Sequence, residues 1–144
     1  MAEAPEIHVL NGPNLNLLGL REPHIYGTTT LEEIGAMCRE AARGPLVFAQ
    51  TNHEGEMIEM IHAASGRAGG IIINPAGWSF RSIAIADALR AFGGPVIELH
   101  ISNIHARDAA HRDSLISPVA TAVIAGLGAK GYPLAVTALY GVIG

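Results

Sequence analysis

Glu98 and His100 stand two residues apart in an apolar run, the spacing that puts two side chains on the same face of a β-strand. A carboxylate beside an imidazole can fix its tautomer or favour its protonated form, and a protonated imidazole is a general acid. A hydrogen-bonded structural histidine is the alternative. The acid–base interpretation is favoured because Glu98 would be a charge in an otherwise apolar strand, where burial requires a partner.

A second group of reactive side chains occupies LREPHIYG, residues 20–27, where an arginine, an acid, a histidine and a tyrosine share one short segment. Glycines bracket the segment, and Pro23 argues against an ordinary helix or a central strand. We therefore predict a mobile loop. Arg21 and Tyr26 on such a loop could swing over a bound ligand and exclude water, although a solvated connector has the same composition.

The elements that must position these residues follow from the hydrophobic pattern. Strands alternate with helices, so we predict one parallel sheet with helices on both faces. In such sheets, ligands bind beyond the carboxyl ends of the strands, where Asn14, Asn74 and the polar residues around His100 fall. The predicted strands cover residues 7–10, 46–49, 70–74, 96–101 and 118–125, and the predicted helices cover residues 30–44, 57–66, 85–93 and 132–140.

Composition limits the class of protein. The 144 residues fit one domain, residues 1–144, with 49% hydrophobic and 15% charged residues, a mixture typical of a compact α/β core. A net charge of −4 and a single lysine, Lys130, argue against nucleic acid as a partner. No apolar run approaches the ~20 residues of a membrane span, and the N-terminus does not resemble a secretory signal. We therefore expect no membrane association and a cytoplasmic location.

Metal and disulfide chemistry are not indicated. Cys38 is the only cysteine, which leaves no intrachain disulfide and no cysteine-based metal site. No cluster of histidines and acids has the spacing of metal ligands. We interpret five further histidines as surface or helix-end residues: His8, His24, His53, His62 and His105.

Five blocks, in order and at matching spacings, closely resemble the type II 3-dehydroquinate dehydratases. They are NGPNLNLLG at residues 11–19, REPHIYG at 21–27, QTNHEG at 50–55, INP at 73–75 and ELHISN at 98–103. The resemblance runs nearly end to end, through Ser117 and Pro118 to GLGAKGY at residues 126–132. A single block could arise by chance, but five in order could not.

The resemblance implies a fold, an assembly and a reaction. The fold would be a flavodoxin-like, doubly wound sheet of five parallel strands with helices on both faces. The assembly would be a homo-oligomer, a dodecamer built as a tetramer of trimers, which would explain the apolar, charge-poor composition. The substrate would be 3-dehydroquinate, converted to 3-dehydroshikimate by anti dehydration without a metal or a cofactor.

The resemblance also assigns catalytic roles. Tyr26, as a phenolate, would remove the C2 proton, with Arg21 holding it ionised. A free tyrosine has a pKa of ~10, so ionisation near neutrality costs roughly 4 kcal/mol, a demand that a close guanidinium in a closed site could meet. Asn14 would hold a water against the enolate. His100, oriented by Glu98, would protonate the departing C1 hydroxyl.

Further residues correspond to substrate contacts. Asn74, with the backbone and hydroxyl of Ile101 and Ser102, would receive the substrate carboxylate. Asp87 would reach the site of a neighbouring subunit in the trimer.

The chain departs from the family pattern at two places. Phe80 stands where the family has a histidine that hydrogen-bonds a ring hydroxyl, and His111 stands where it has an arginine. Arg112, one step along, or Arg81 could reach the same hydroxyls. Phe80 could equally be a packing change beside Trp78.

Both departures fall on hydroxyl recognition, while the base and the acid remain. Loss of one such hydrogen bond costs ~1 to 3 kcal/mol, which weakens an enzyme without abolishing it. We therefore favour an active dehydratase. The alternatives are a paralogue that dehydrates a related cyclic β-hydroxy ketone acid, a small-acid binder without turnover, and an assembly without chemistry. Aromatic amino acid biosynthesis and quinate degradation share this reaction, so the sequence does not separate them.

Overall fold

The computed structural model describes residues 4–144, whose five strands form one parallel sheet in the order β2-β1-β3-β4-β5. This is the flavodoxin-like order, in which the strand order reverses between β1 and β3. The predicted parallel sheet with helices on both faces is confirmed. The strands are β1 (Ile7–Asn11), β2 (Leu46–Gln50), β3 (Gly70–Asn74), β4 (Val96–His100) and β5 (Ala122–Ala125), and the helices are α1 (Pro23–Tyr26), α2 (Leu31–Ala41), α3 (Glu54–Ala64), α4 (Ile83–Phe92) and α5 (Gly131–Ile143).

The three central strands, β1, β3 and β4, are buried from end to end because helices cover both faces of the sheet. Side chains alternate between those faces. Ile72 packs with residues of α2 and α5, whereas Ile71 and Ile73 pack with residues of α3 and α4. Burial of each isoleucine side chain contributes roughly 1.5–3 kcal/mol to the free energy of unfolding. Because the three side chains point to opposite faces of β3, they hold the helices on both sides against the sheet.

Two helix boundaries are set by the signals seen in the sequence. Thr30 Oγ1 accepts a hydrogen bond from the Glu33 backbone N–H, and the Glu33 carboxylate accepts one from the Thr30 N–H. This capping box starts α2. Gly93 ends α4 with a φ of 74°, a left-handed conformation that glycine adopts without strain.

Two predictions about proline-containing segments are wrong. The fifth strand begins at Ala122 and not at residue 118, because Ser117–Val119 forms a 3-10 helix and Pro118 has no N–H to offer a sheet. The segment at residues 20–27 contains a helical turn, α1. Pro23 occupies its first position, where a helix has no use for the backbone N–H.

Candidate active site

A small cavity of about 140 Å³ opens at the carboxyl ends of β1, β3 and β4, the edge where the sequence predicts a ligand. Gly12 lets the loop after β1 approach the loop after β3, since a Cβ there would lie 2.7 Å from the Pro75 carbonyl oxygen. Nine of the residues predicted from the sequence line the cavity: Asn14, Arg21, Tyr26, Asn74, Phe80, His100, Ile101, Ser102 and His111.

Tyr26, at the end of α1, lies beside two arginines. Its hydroxyl accepts a hydrogen bond from Arg21 Nη2 at 3.4 Å, and the Arg21 Cζ lies 4.4 Å from the ring centroid. Arg107 also lines the cavity, with its Cζ 5.8 Å from the same centroid. Arg107 was not predicted as a site residue, and the available signal in the sequence was a cation in the loop that follows β4. Of these two guanidiniums, Arg21 contacts the phenol oxygen and Arg107 approaches the ring.

Glu98 and His100 lie on the same face of β4, as predicted, and His100 Nε2 is 2.6 Å from Glu98 Oε2. Glu98 is completely buried and also accepts hydrogen bonds from the hydroxyls of Ser114 and Ser117. Burial opposes its charge, but the hydrogen bonds from His100 and the two serines outweigh burial and hold the pKa of Glu98 below its usual value. A carboxylate accepts only, so Nε2 of His100 carries the proton in this bond.

Ser114 and Ser117 are functional neighbours that sequence reasoning did not assign. They follow Glu98 by 16 and 19 residues, and no periodicity connects them to it. The loop that carries both serines is held near Glu98 by a backbone hydrogen bond. Leu115 N–H donates to the Ser79 carbonyl at 2.7 Å, which ties this loop to the turn after β3.

Asn74 is held by a buried hydrogen-bond chain. Its Nδ2 donates to the Tyr132 hydroxyl at 2.9 Å, and that hydroxyl donates to Asn11 Oδ1 at 2.8 Å. Asn74 Oδ1 accepts from the Ala76 N–H at 3.2 Å. Burial raises the pKa of Tyr132 well above its usual value, so this tyrosine stays protonated and is not a base.

The side-chain amide of Asn14, unlike that of Asn74, makes no hydrogen bond within the described residues. Asn14 adopts a left-handed φ of 68°, and its backbone N–H donates to Asn52 Oδ1 at 2.9 Å. No residue in the described range 4–144 hydrogen-bonds its side-chain amide, which remains available at the cavity. The hydroxyl of Ser102 is likewise without a partner in that range.

Two predicted substrate contacts lie outside the cavity. Asp87 is exposed on α4, where Arg90 Nη1 donates to its carboxylate at 3.1 Å. Arg112 does not reach the cavity, because it follows the 3-10 helix Ala109–His111 and lines a separate depression beside Ser114 instead. Of the neighbouring pair, only His111 lines the cavity.

His8 was wrongly predicted to be a surface or helix-end residue. It is buried in β1, and its Nε2 lies 2.7 Å from Glu6 Oε2, which also accepts from Arg67 Nε at 2.7 Å. This pair repeats the Glu-x-His spacing near the amino ends of the strands, away from the cavity. The other four predictions are confirmed by exposed side chains: His24, His53, His62 and His105.

Cys38 is buried, and burial raises the pKa of its thiol to about 12, so it is an unreactive core residue. Within residues 4–144, no three His, Cys, Asp or Glu side chains converge as a metal site would require. In the same part of the chain, every helix is too short or too polar to cross a bilayer.

Comparison with known proteins identifies the family. The family model for class II dehydroquinases matches residues 5–140. A 3-dehydroquinate dehydratase 2 from Agrobacterium fabrum is 55% identical over 130 residues, which is 88% of each chain. The crystal structure of a type II dehydroquinase from Propionibacterium acnes covers 98% of this chain and 99% of its own, at 44% identity and a TM-score of 0.87. The type II dehydroquinase from Butyrivibrio crossotus gives a TM-score of 0.90 at 40% identity and covers 94% of this chain and 97% of its own. The chain therefore belongs to the class II dehydroquinase family.

Proposed function

We propose that this chain is a 3-dehydroquinate dehydratase, a lyase that converts 3-dehydroquinate to 3-dehydroshikimate by anti elimination of water. The reaction breaks the C2–H and C1–O bonds and forms the C1=C2 double bond. One observation carries the proposal: a phenol beside two guanidiniums and an imidazole bound to a buried carboxylate line one small cavity. A proton acceptor and a proton donor in one cavity support elimination more than they support binding alone.

Tyr26 is the base that removes the C2 proton. Its hydroxyl is 3.4 Å from Arg21 Nη2, but the same nitrogen is 3.5 Å from a carboxylate oxygen of Glu22, which neutralises part of the Arg21 charge. Arg107 is the second cation near the ring and therefore shares the task of stabilising the phenolate.

Asn14 and Ser102 bind the substrate through groups that the protein leaves unused. The Asn14 amide holds a water against the enolate oxygen that forms at C3. The Ser102 hydroxyl and the adjoining backbone at Ile101 receive the substrate carboxylate. Asn74 is held in place by Tyr132 and Ala76, which leaves one of its two amide N–H groups for the substrate carboxylate.

His100 is the general acid that completes the elimination. Glu98 holds Nε2, so Nδ1 is the nitrogen that donates a proton to the C1 hydroxyl. The buried carboxylate stabilises the imidazolium before that transfer. The proton taken from C2 ends on Tyr26, and the proton given by His100 leaves with the C1 oxygen as water.

The resemblance to the type II 3-dehydroquinate dehydratases also supports assembly of this chain into a tetramer of trimers. Large apolar side chains are exposed on the isolated chain, including Leu20 at 84% and Ile83 at 67%. Ile83 lies one helical turn before Asp87 on α4, which would place that carboxylate at a subunit contact. Light scattering of the purified chain should give twelve times the mass of one chain, and a monomer would contradict the assembly.

The function is tested by adding 3-dehydroquinate to the purified protein and following the absorbance of an enone conjugated with a carboxylate. We expect turnover by the wild type and a loss of about 10²-fold or more in kcat for Tyr26→Phe. Tyr140→Phe is the matched control, because the Tyr140 hydroxyl accepts from the Arg43 N–H away from the cavity. Saturable binding without an enone signal at millimolar substrate would show that the chain is a small-acid binder.

A further inference from the structure

Phe80 forms the cavity wall between two histidines. Its ring centroid is 6.3 Å from that of His100, with 25° between the planes, and 5.5 Å from that of His111, with 73° between the planes. Both geometries lie within the range of packed aromatic pairs. The backbone hydrogen bond from Leu115 to Ser79 holds the Phe80 turn against the loop that follows His111. Phe80 is therefore a fixed part of the wall.

The Phe80 ring has no hydrogen-bond donor or acceptor to offer a ligand. A ligand hydroxyl pressed against it would lose its hydrogen bonds to water without replacement, whereas a methylene would lose nothing. This side of the cavity therefore gives no advantage to a hydroxylated ring carbon.

On the adjoining side of the cavity, His111 does offer a hydrogen-bonding group to a ligand. Its Nδ1 lies 2.8 Å from Asp108 Oδ1, and the hydrogen bond from His111 holds the pKa of Asp108 below its usual value. Asp108 is thus a carboxylate that accepts from Nδ1–H, and this bond orients the ring. Nε2 has no partner within residues 4–144, so it is free to bind a ligand hydroxyl, and Arg107, four residues earlier, lines the same cavity.

We propose that Phe80 and His111 make hydroxyl recognition asymmetric: His111 Nε2 binds one of the two ring hydroxyls that dehydration leaves at C4 and C5, and Phe80 makes the other dispensable. The inference rests on the proposed function and widens its substrate class. The cavity accepts cyclic β-hydroxy ketone acids that lack the hydroxyl facing Phe80. Asp108 is a positioning residue that acts through His111.

The test compares 3-dehydroquinate with its 4-deoxy and 5-deoxy analogues. Binding is measured by calorimetry on Tyr26→Phe, which consumes the ligands much more slowly than the wild type, and turnover is measured on the wild type. We expect one analogue to bind within about threefold of the parent and the other to bind about tenfold more weakly or worse. Two analogues that are weakened equally, or that are both tolerated, would overturn the inference.

Variants identify the side chains responsible for the difference in affinity between the two analogues. For the binding measurements, each variant is combined with Tyr26→Phe. Phe80→His restores a hydrogen-bonding group, so the tolerated analogue should lose about tenfold against the parent. Phe80→Leu keeps the wall apolar and is the matched control, with the asymmetry retained. His111→Ala should remove only the discrimination against the second analogue. If Phe80→His leaves the tolerated analogue unaffected, Phe80 does not set specificity.

Asp108 is tested by conservative rescue. Asp108→Ala should lose the same discrimination as His111→Ala, whereas Asp108→Asn should retain it, because an amide oxygen still accepts from Nδ1–H. Equal behaviour of the two variants would remove Asp108 from the proposal.

The readouts separate this inference from the proposed function. Asymmetric binding without wild-type turnover of any of the three compounds would leave the inference standing and contradict the proposed function. Turnover of 3-dehydroquinate with symmetric analogues would contradict the inference alone. Absence of binding by all three compounds would contradict both.

Discussion

Arg21 shares one guanidinium nitrogen between the Tyr26 hydroxyl at 3.4 Å and the Glu22 carboxylate at 3.5 Å. Glu22 is held beside them in a left-handed conformation with a φ of 34°, which is uncommon for a residue with a side chain. The charge that Arg21 offers the phenol is therefore divided, and we expect Arg107, whose Cζ lies 5.8 Å from the Tyr26 ring centroid, to contribute to a phenolate base as well.

Arg107→Ala should lower kcat/KM about 10- to 100-fold and move the acid limb of the kcat/KM profile to higher pH, because less positive charge stabilises the phenolate. Steady-state kinetics across pH measure both effects. Arg43→Ala is the control, since that guanidinium also lies over a tyrosine ring, 4.3 Å from the Tyr140 centroid, but away from the cavity. An unchanged profile for Arg107→Ala would leave Arg21 as the only cation that matters.

Glu98 should make stability sensitive to acid. Its folded pKa is below the usual value, so its contribution is fully present above the unfolded glutamate value of ~4.3 and is lost as pH falls through the folded pKa. Glu98→Gln should cost about 1–3 kcal/mol at pH 7, and this difference should shrink below pH ~4.3. Urea unfolding of both proteins between pH 7 and pH 3 measures it. A difference that stays constant with pH would show that Glu98 is not a folded-state carboxylate.

Ser114 should stabilise Glu98 as a charge. Its hydroxyl donates to Oε2 at 2.6 Å, so Ser114→Ala removes one of the hydrogen bonds that hold the Glu98 pKa down. We expect a loss of about 1–3 kcal/mol in the free energy of unfolding at pH 7, and a smaller further loss between pH 7 and pH 3 than in the wild type, because the folded pKa of Glu98 then lies closer to its unfolded value. Ser65→Ala, at an exposed helix end, is the control. If Ser114→Ala keeps the wild-type acid transition, the hydroxyl does not tune Glu98.

Tyr132 and Tyr26 should respond differently to loss of the hydroxyl. Tyr132→Phe leaves the buried groups Asn11 Oδ1 and Asn74 Nδ2 without their partner, which costs about 1–3 kcal/mol for each unsatisfied group. Its activity should fall only modestly. Tyr26→Phe should keep the free energy of unfolding within about 0.5 kcal/mol of the wild type while lowering kcat about 10²-fold or more. Denaturation and kinetics on both variants measure the contrast, and the reverse pattern would make Tyr132 the chemical residue.

The parts of the site that could be predicted are those whose positions depend on residue spacing within one strand or on where a strand ends. Glu98 and His100 are adjacent on one strand face, and the residues after β1 and β3 reach the same edge because parallel strands end together. Arg107 and Ser114 belong to a stretch of 3-10 helices and turns with no hydrophobic period, so their positions depend on tertiary contacts such as the one from Leu115 to Ser79.

Local chemistry also explains the errors. Pro23 was taken as a helix breaker because its ring excludes a helix interior, yet a four-residue turn has room for it at the first position. The prediction for His8 is wrong because it assigns His8 no partner comparable to Glu98, whereas Glu6, two residues earlier, provides the partner that burial requires.

The most direct test of Tyr26 as base and His100 as acid is exchange of the C2 hydrogen of 3-dehydroquinate with deuterium oxide, followed by NMR. His100→Ala retains the base but cannot expel water, so it should exchange the C2 hydrogen without forming an enone. Tyr26→Phe should show neither exchange nor enone. Exchange that persists in Tyr26→Phe at the rate seen in His100→Ala would contradict the assignment of the base.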